Sequence, residues 1–169
     1  MNNNQSISLP QLNAPDYSDY IKVKDDNGFI SIFDYIRRKW VKLTEEEWVR
    51  QNINIFISQI MEVPLSKFAN EVSIKYNGLS KRCDSLIYDN EGNPLIIIEY
   101  KKPDIKINQK IFDQIFVYNL QLSVPYLIIS NGKEHYFCET DFKTKSFSIY
   151  TNWPKYKDIL ERWNRKMRS

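Results

Sequence analysis

Residues 82–101 constrain the fold more than any other stretch of this chain. Two apolar runs, one ending Leu86-Ile87-Tyr88 and one opening Pro94-Leu95-Ile96, flank the polar break Asp89-Asn90-Glu91-Gly92-Asn93, which is the pattern of a β-hairpin. The second run continues Ile97-Ile98-Glu99-Tyr100-Lys101 and is aliphatic enough to be buried on both faces. It nevertheless closes on two charges. Side chains alternate across a strand, so Glu99 and Lys101 share a face with Leu95 and Ile97 while Tyr100 points the other way. A loop over residues 90–93 pairs Tyr88 with Leu95, Leu86 with Ile97 and Asp84 with Glu99. Like charges placed opposite one another on a sheet are destabilising, so such a pair needs a compensating cation. Lys101 supplies one, and a divalent metal would supply a second.

The rest of the chain supplies a scaffold for this hairpin. Residues 1–20 are polar, carry Pro10 and Pro15, and are expected to form a loose arm. An earlier hairpin is expected where Ile21-Lys22-Val23-Lys24 and Phe29-Ile30-Ser31-Ile32 flank Asp25-Asp26-Asn27-Gly28, because Asn-Gly is a strong turn signal. Arg37, Arg38 and Lys39 with Trp40 make a short basic cluster. Such clusters are more often solvated surface than phosphate contacts, and the phosphate reading extends to Lys102. Thr44 followed by Glu47 is a capping box that starts a helix, with Val49, Ile53, Phe56, Ile57 and Ile60 as its apolar face and Pro64 beyond its end. Further strands are expected at 71–75, 83–88, 95–100, 126–130 and 135–138, with helices over 108–121 and 156–167. This divides the chain into the arm at 1–20, a domain at 21–150 that begins with a hairpin, and a basic helix at 151–169.

The order Asp84, hairpin, Glu99-x-Lys101 resembles the PD-(D/E)xK nuclease superfamily. Leu43-Thr44-Glu45-Glu46-Glu47-Trp48-Val49-Arg50-Gln51 is similar to the opening helix of the N-terminal domain of type I restriction enzyme R subunits. Gln114-Ile115-Phe116-Val117-Tyr118 matches that branch's Gln-x-x-x-Tyr element, and Ser130-Asn131-Gly132 matches the strand end that follows. The resemblance covers residues 33–138. Cys83 stands where the superfamily name has Pro, a residue that many members of this branch also lack. The implied fold is α/β, a restriction-endonuclease-like mixed central sheet flanked by helices.

The resemblance also implies a chemistry. Asp84, Glu99 and the main-chain carbonyl of Tyr100 would hold Mg²⁺, with Mn²⁺ able to substitute, and Glu71 would be either a further ligand or a salt-bridge partner. Carboxylate oxygens suit such a hard cation, which stabilises charge on a phosphate and acidifies water. Lys101 would orient or help deprotonate the attacking water. Gln114 and Tyr118 fall at i, i+4, one helix face shared with Ile111 and Ile115, and would position the scissile strand. Glu47 resembles a helix acid that sometimes joins such sites, though its capping role explains it without chemistry. His135 reads as structural.

These residues together point to a metal-dependent endonuclease acting on nucleic acid, DNA first. Two other classes stay open: a nucleic-acid-binding module on the same fold that does not cut, and an interaction protein in which the carboxylates and Lys101 form a buried ion network. No Gly-x-x-x-x-Gly-Lys-Ser/Thr loop is present, since Gly132-Lys133 is followed by Glu134. Any motor or specificity subunit is therefore expected on another chain, and a homodimer is left open. The 169 residues suit one well-filled core, and the net charge of +3 permits nucleic acid without demanding it. No run of about 18 apolar residues suggests a membrane span, the start lacks signal-peptide features, and Cys83 and Cys138 sit singly on expected strands. A cytoplasmic location is the expectation.

Overall fold

A computed structural model describes residues 9–76 and 78–168. Asn27 and Gly28 both take positive φ, 55° and 87°, the geometry of a two-residue hairpin turn that twists with its strands. They join β1 (Val23–Asp26) to β2 (Phe29–Asp34), and β3 (Lys39–Lys42) pairs antiparallel with β2 to complete a three-stranded sheet. The third strand replaces what reads in sequence as a basic surface cluster. Trp40 pairs with Phe33 and Val41 with Ile32, so cross-strand packing outweighs the weak strand propensity of the flanking lysines.

Thr44 then caps α1 (Glu45–Met61), its hydroxyl accepting the Glu47 amide at 3.1 Å. Val49, Ile53, Ile57 and Met61 are wholly buried at helical spacing, with Phe56 and Ile60 at the margin. A 3₁₀ turn leads into β4 (Phe68–Tyr76), β5 (Leu79–Tyr88) and β6 (Pro94–Tyr100). There follow α2 (Gln109–Leu122), β7 (Tyr126–Ser130), β8 (His135–Asp141), β9 (Ser146–Tyr150) and α3 (Tyr156–Arg168). The order across the second sheet is β4-β5-β6-β7-β8-β9, with β6 and β7 parallel and the other neighbours antiparallel. A parallel step needs a crossover, and α2 provides it.

The chain is therefore mixed α/β, a six-stranded mixed sheet with helices on both sides. On one side, Ile53 and Ile57 of α1 and Ile159 of α3 join Ile87, Ile96, Ile98 and Tyr100. On the other, Phe112, Ile115 and Leu122 of α2 join Leu86, Ile97 and Ile129. The expected register holds at Leu86↔Ile97 but shifts between Ile87 and Tyr88, so that Tyr88 meets Pro94 rather than Leu95. Leu95 consequently joins the α1 cluster instead of sharing a side with Ile97. Asp89 sets this turn, its carboxylate accepting the amides of Glu91 and Asn93 at 2.9 and 2.7 Å.

The expected loose arm is corrected where it is described. Residues 1–8 lie outside the described residues, but Tyr17 is buried, Leu12 packs on the core, and the Asn13 amide donates to Gly132 O at 2.6 Å. Trp48 Nε1 donates to Pro10 O at 3.1 Å. Prolines and short polar residues look like a tail in sequence, and these two hydrogen bonds, one between main chains and one from the Trp48 indole, dock it.

Candidate active site

The β6 strand ends beside a gap in the sheet. Phe68 to Asn70 pair with Ile87 to Ser85, and pairing resumes at Val72↔Cys83, but the intervening Glu71 takes a left-handed φ of 56° and drops out of the ladder opposite Asp84. A left-handed non-glycine residue inside a strand is held only by its surroundings, and here Arg50 at 2.7 Å and Arg82 both pair with the Glu71 carboxylate. The open step lets Asp84 turn to β6, where its Oδ2 accepts the Tyr100 amide at 2.9 Å. Asp84 and Glu99 thus flank the same peptide unit, one through its amide and the other as its preceding residue.

Lys101 completes the strand end. Its Nζ lies 4.0 Å from Glu99 Oε2, and its own amide is held by Ser130 O at 2.8 Å. Glu99 is largely buried yet lines an open cleft of about 490 Å³ with Arg82, Gln114 and Tyr118. The structure thus gathers Glu99, Gln114 and Tyr118 in one cleft. Gln114 and Tyr118 are exposed rather than on the core-facing stripe, because α2 is rolled so that Phe112, Ile115, Asn119 and Leu122 face inward. The stacking of Phe112 on Phe147 of β9, a strand not expected from the sequence, accounts for that roll.

Several further residues belong to this end of the molecule. Arg50 is 3 % exposed and donates to Glu47 at 2.8 Å, pairs with Glu71, and brings Nη2 to 3.9 Å from Asp84 while its guanidinium lies over the Tyr100 ring. Burial would lower the Arg50 pKa, but the carboxylates of Glu47, Glu71 and Asp84 outweigh it and hold the charge. Glu71 is likewise pushed up by burial but pulled below its usual range overall by Arg50 and Arg82. It is a salt-bridge partner in this structure. Glu46 has the opposite balance: burial and the nearby Asp84 charge raise its carboxyl against the pull of Arg50 and Lys101. The α1 acid that senses Asp84 and Lys101 is therefore Glu46, whereas Glu47 accepts from Arg37, Arg50 and Gln51. Glu47 does not close the reciprocal half of the capping box.

Beneath the strand end runs a second polar layer. The Tyr100 hydroxyl donates to Asn54, Asn54 and Ser85 donate to Asn70, and Asn70 donates to Asp34 at 2.8 Å. Burial drives the Tyr100 pKa far above its ordinary value, so the phenol stays a donor. One sequence signal marks this layer: Glu47, Arg50, Gln51 and Asn54 recur at three- and four-residue spacing beside the apolar stripe of α1, so the helix carries two inward faces.

The basic residues divide. Arg37 is drawn inward, its Nε 2.5 Å from Asp34 and its Nη2 3.1 Å from Glu47, so it serves the buried network rather than a phosphate. Arg38 and Lys39 are exposed, and Lys102 is exposed 3.8 Å from Glu45. His135 spans Ser130 Oγ and Asn13 O at 2.8 Å each, with burial lowering its pKa, as a structural residue does. Cys83 and Cys138 are both buried free thiols, and burial pushes Cys138 up to about 12. Among the described residues no group of three or more His, Cys, Asp or Glu side chains is arranged to hold a metal ion. The donors at the strand end are two carboxylates flanking a peptide, hard oxygens that suit Mg²⁺ and not a soft metal.

The family model for the type I restriction enzyme R protein N terminus (HSDR_N) matches residues 45–154. Among solved structures, a fragment described as an HsdR subunit of a type I restriction enzyme from Vibrio vulnificus YJ016 superposes with a TM-score of 0.51 at 19% identity, over 72% of this chain and 25% of that one. This chain spans a quarter of that relative's length. A DrdV–DNA complex (TM-score 0.44, 16% identity, 70% of this chain and 12% of that one) is also similar. So is a protein described as a DUF820 nuclease from Anabaena variabilis ATCC 29413 (TM-score 0.44, 10% identity, 82% and 93%). No curated protein matches the chain. No helix among the described residues is long and apolar enough to cross a membrane.

Proposed function

Because this chain belongs to the family of type I restriction enzyme R protein N termini, we propose that it is a restriction-type nuclease domain that hydrolyses DNA phosphodiesters with Mg²⁺. The observation that carries the reading is the strand end itself: Asp84 on the Tyr100 amide, Glu99 beside it on the wall of an open cleft, and Lys101 4.0 Å from Glu99. Asp84, Glu99 and the Tyr100 carbonyl would hold the metal, with Mn²⁺ as a substitute, and the bound ion supplies charge stabilisation and an acidified water. Lys101 directs its ammonium to that water and to the charge that develops on the phosphate. Gln114 and Tyr118, on the cleft wall, position the strand to be cut. Glu71, engaged by two arginines, is left out of the ligand set in this reading. Arg38, Lys39 and Lys102 remain available to phosphates, and a motor or specificity subunit would act in partnership.

A second reading draws on Arg50. A buried arginine 3.9 Å from Asp84, with Glu47 and Glu71, makes an ion network of the kind that holds a non-cleaving module together. Calorimetry with Mn²⁺ separates the two. The nuclease reading expects weak binding, since two carboxylates and a carbonyl leave several positions to water and phosphate, and expects it to vanish in Asp84→Asn and Glu99→Gln. Unchanged binding in both variants contradicts it.

A further inference from the structure

The three-stranded sheet lies outside residues 45–154, and the proposed function draws on it only through Lys39 at its edge. Its inner side is fixed by Ile32 and Asp34, both wholly buried. Alternation then puts Phe29, Ser31 and Phe33 of β2 on the other side, and the pairings Phe33↔Trp40, Ser31↔Lys42 and Lys24↔Ser31 add Trp40, Lys42 and Lys24 to it. Lys22 joins the same row, because its carbonyl accepts the Phe33 amide at 2.9 Å. Phe29 is 55% exposed, Trp40 41% and Tyr35 38%, an unusual density of bare rings on one small face.

These rings are ordered among themselves. Phe33 meets Tyr35 and Trp40 edge to face with centroids 5.0 and 5.3 Å away, while Tyr35 and Trp40 stay exposed. Lys24 Nζ stands 5.0 Å from the Trp40 centroid and Lys22 Nζ 5.9 Å from that of Tyr35. Asp26, the acid on this face, is already paired to Lys24 at 2.6 Å, so Lys22, Lys24 and Lys42 leave the face positive. Tyr35 and Trp40 thus each have a cation over the ring, and a phosphate drawn to Lys22 or Lys42 brings its own base within reach of Tyr35 or Trp40.

We infer that this face is a stacking platform for an unpaired DNA strand. A duplex keeps its base faces stacked on one another and offers only edges, whereas exposed aromatic rings flanked by lysines suit splayed bases on an anionic backbone. The inference names a substrate form for the proposed nuclease and rests on that reading for its choice of DNA. The platform is also tied to the strand end. Asp34 holds Arg37, Arg37 meets Glu47, Glu47 meets Arg50, and Arg50 reaches Asp84, at 2.5, 3.1, 2.8 and 3.9 Å.

The test is fluorescence anisotropy of the full chain with a labelled oligothymidylate, in EDTA so that nothing is cut. The expected result is that Trp40→Ala and Phe29→Ala, both still folded by thermal melt, each weaken binding about fivefold or more, that Trp40→Phe restores most of it, and that Lys22→Ala with Lys24→Ala flattens the salt dependence. Tighter binding to a duplex or to RNA of the same length overturns the platform, as do wild-type affinity in the two ring variants and a wild type that binds no oligothymidylate. Loss of a dimer in Trp40→Ala with DNA affinity unchanged also overturns it, by assigning the face to a second copy. If the ring variants lose affinity but the wild type cuts nothing with Mg²⁺ or Mn²⁺, the platform stands and the nuclease reading falls. If the wild type cuts while the ring variants bind normally, the reverse holds.

Discussion

Asp34 sets the local stability of the region around the strand end. It is wholly buried and accepts from the amides of Ile36 and Arg37, from Arg37 Nε and from Asn70. Burial alone would raise its carboxyl, but those donors more than compensate and hold it below the ordinary range. A carboxyl depressed in the folded state contributes stability that is fully present above its unfolded pKa of about 3.9 and is lost as pH falls through the lower folded value. Asp34→Asn should therefore melt lower than the wild type at pH 7 but lose less between pH 5 and pH 2. Parallel wild-type and variant curves across that range would mean that Asp34 does not carry the acid sensitivity. At the same scale Glu46 and Glu47 show what a motif alone conveys. Both follow Thr44 in one acidic run, yet Glu47 is drawn into an arginine pair whereas burial and the nearby Asp84 charge raise the Glu46 carboxyl.

Among the elements, β7 matched expectation at both ends, and β6 and α2 within a residue, because their apolar runs or caps stop abruptly at Ser130, Asn93 and Asn108. The pairing of Leu86 with Ile97 was legible for the same reason. Less legible were β3, whose lysines mask its pairing with β2, and β9, whose five residues gain their place by stacking Phe147 on Phe112. The open step at Glu71 had no local signal, since its left-handed φ is held by arginines from α1 and β5. The docked arm was hidden too, because its acceptor is a loop more than a hundred residues away. Gly132 makes that contact close: its φ is +83°, and a Cβ there would come 2.5 Å from Leu12 and 3.2 Å from Val49. Gly132→Ala should release the arm, seen as faster hydrogen exchange at the Asn13 amide and proteolytic cleavage near Pro10 while α1 stays protected. Exchange at Asn13 as slow as in the wild type would show that the arm is held by other contacts.

The whole molecule brings two polar systems together at one end of a sheet that packs helices on both sides. One is the buried network from Asp34 through Asn70 and Asn54 to Tyr100, and the other is the strand end with Glu99 on the cleft and Lys101 beside it. A network that is fully satisfied fixes side-chain positions, and a catalytic constellation needs that fixity more than it needs added stability. The family shows the kind of domain, and the proposed chemistry rests on whether the strand end cuts DNA or serves a module that only binds it. Lys101 distinguishes the two, because an ammonium that serves the water and the transition state contributes little to the bound ground state. The decisive measurement is Mg²⁺-dependent nicking of plasmid and single-stranded DNA by wild type and Lys101→Ala, alongside their DNA affinities and melting temperatures. The account predicts that the variant binds and melts like the wild type but does not cut. A wild type that binds without cutting any of these substrates, or a Lys101→Ala protein that cuts as well as the wild type, would contradict it.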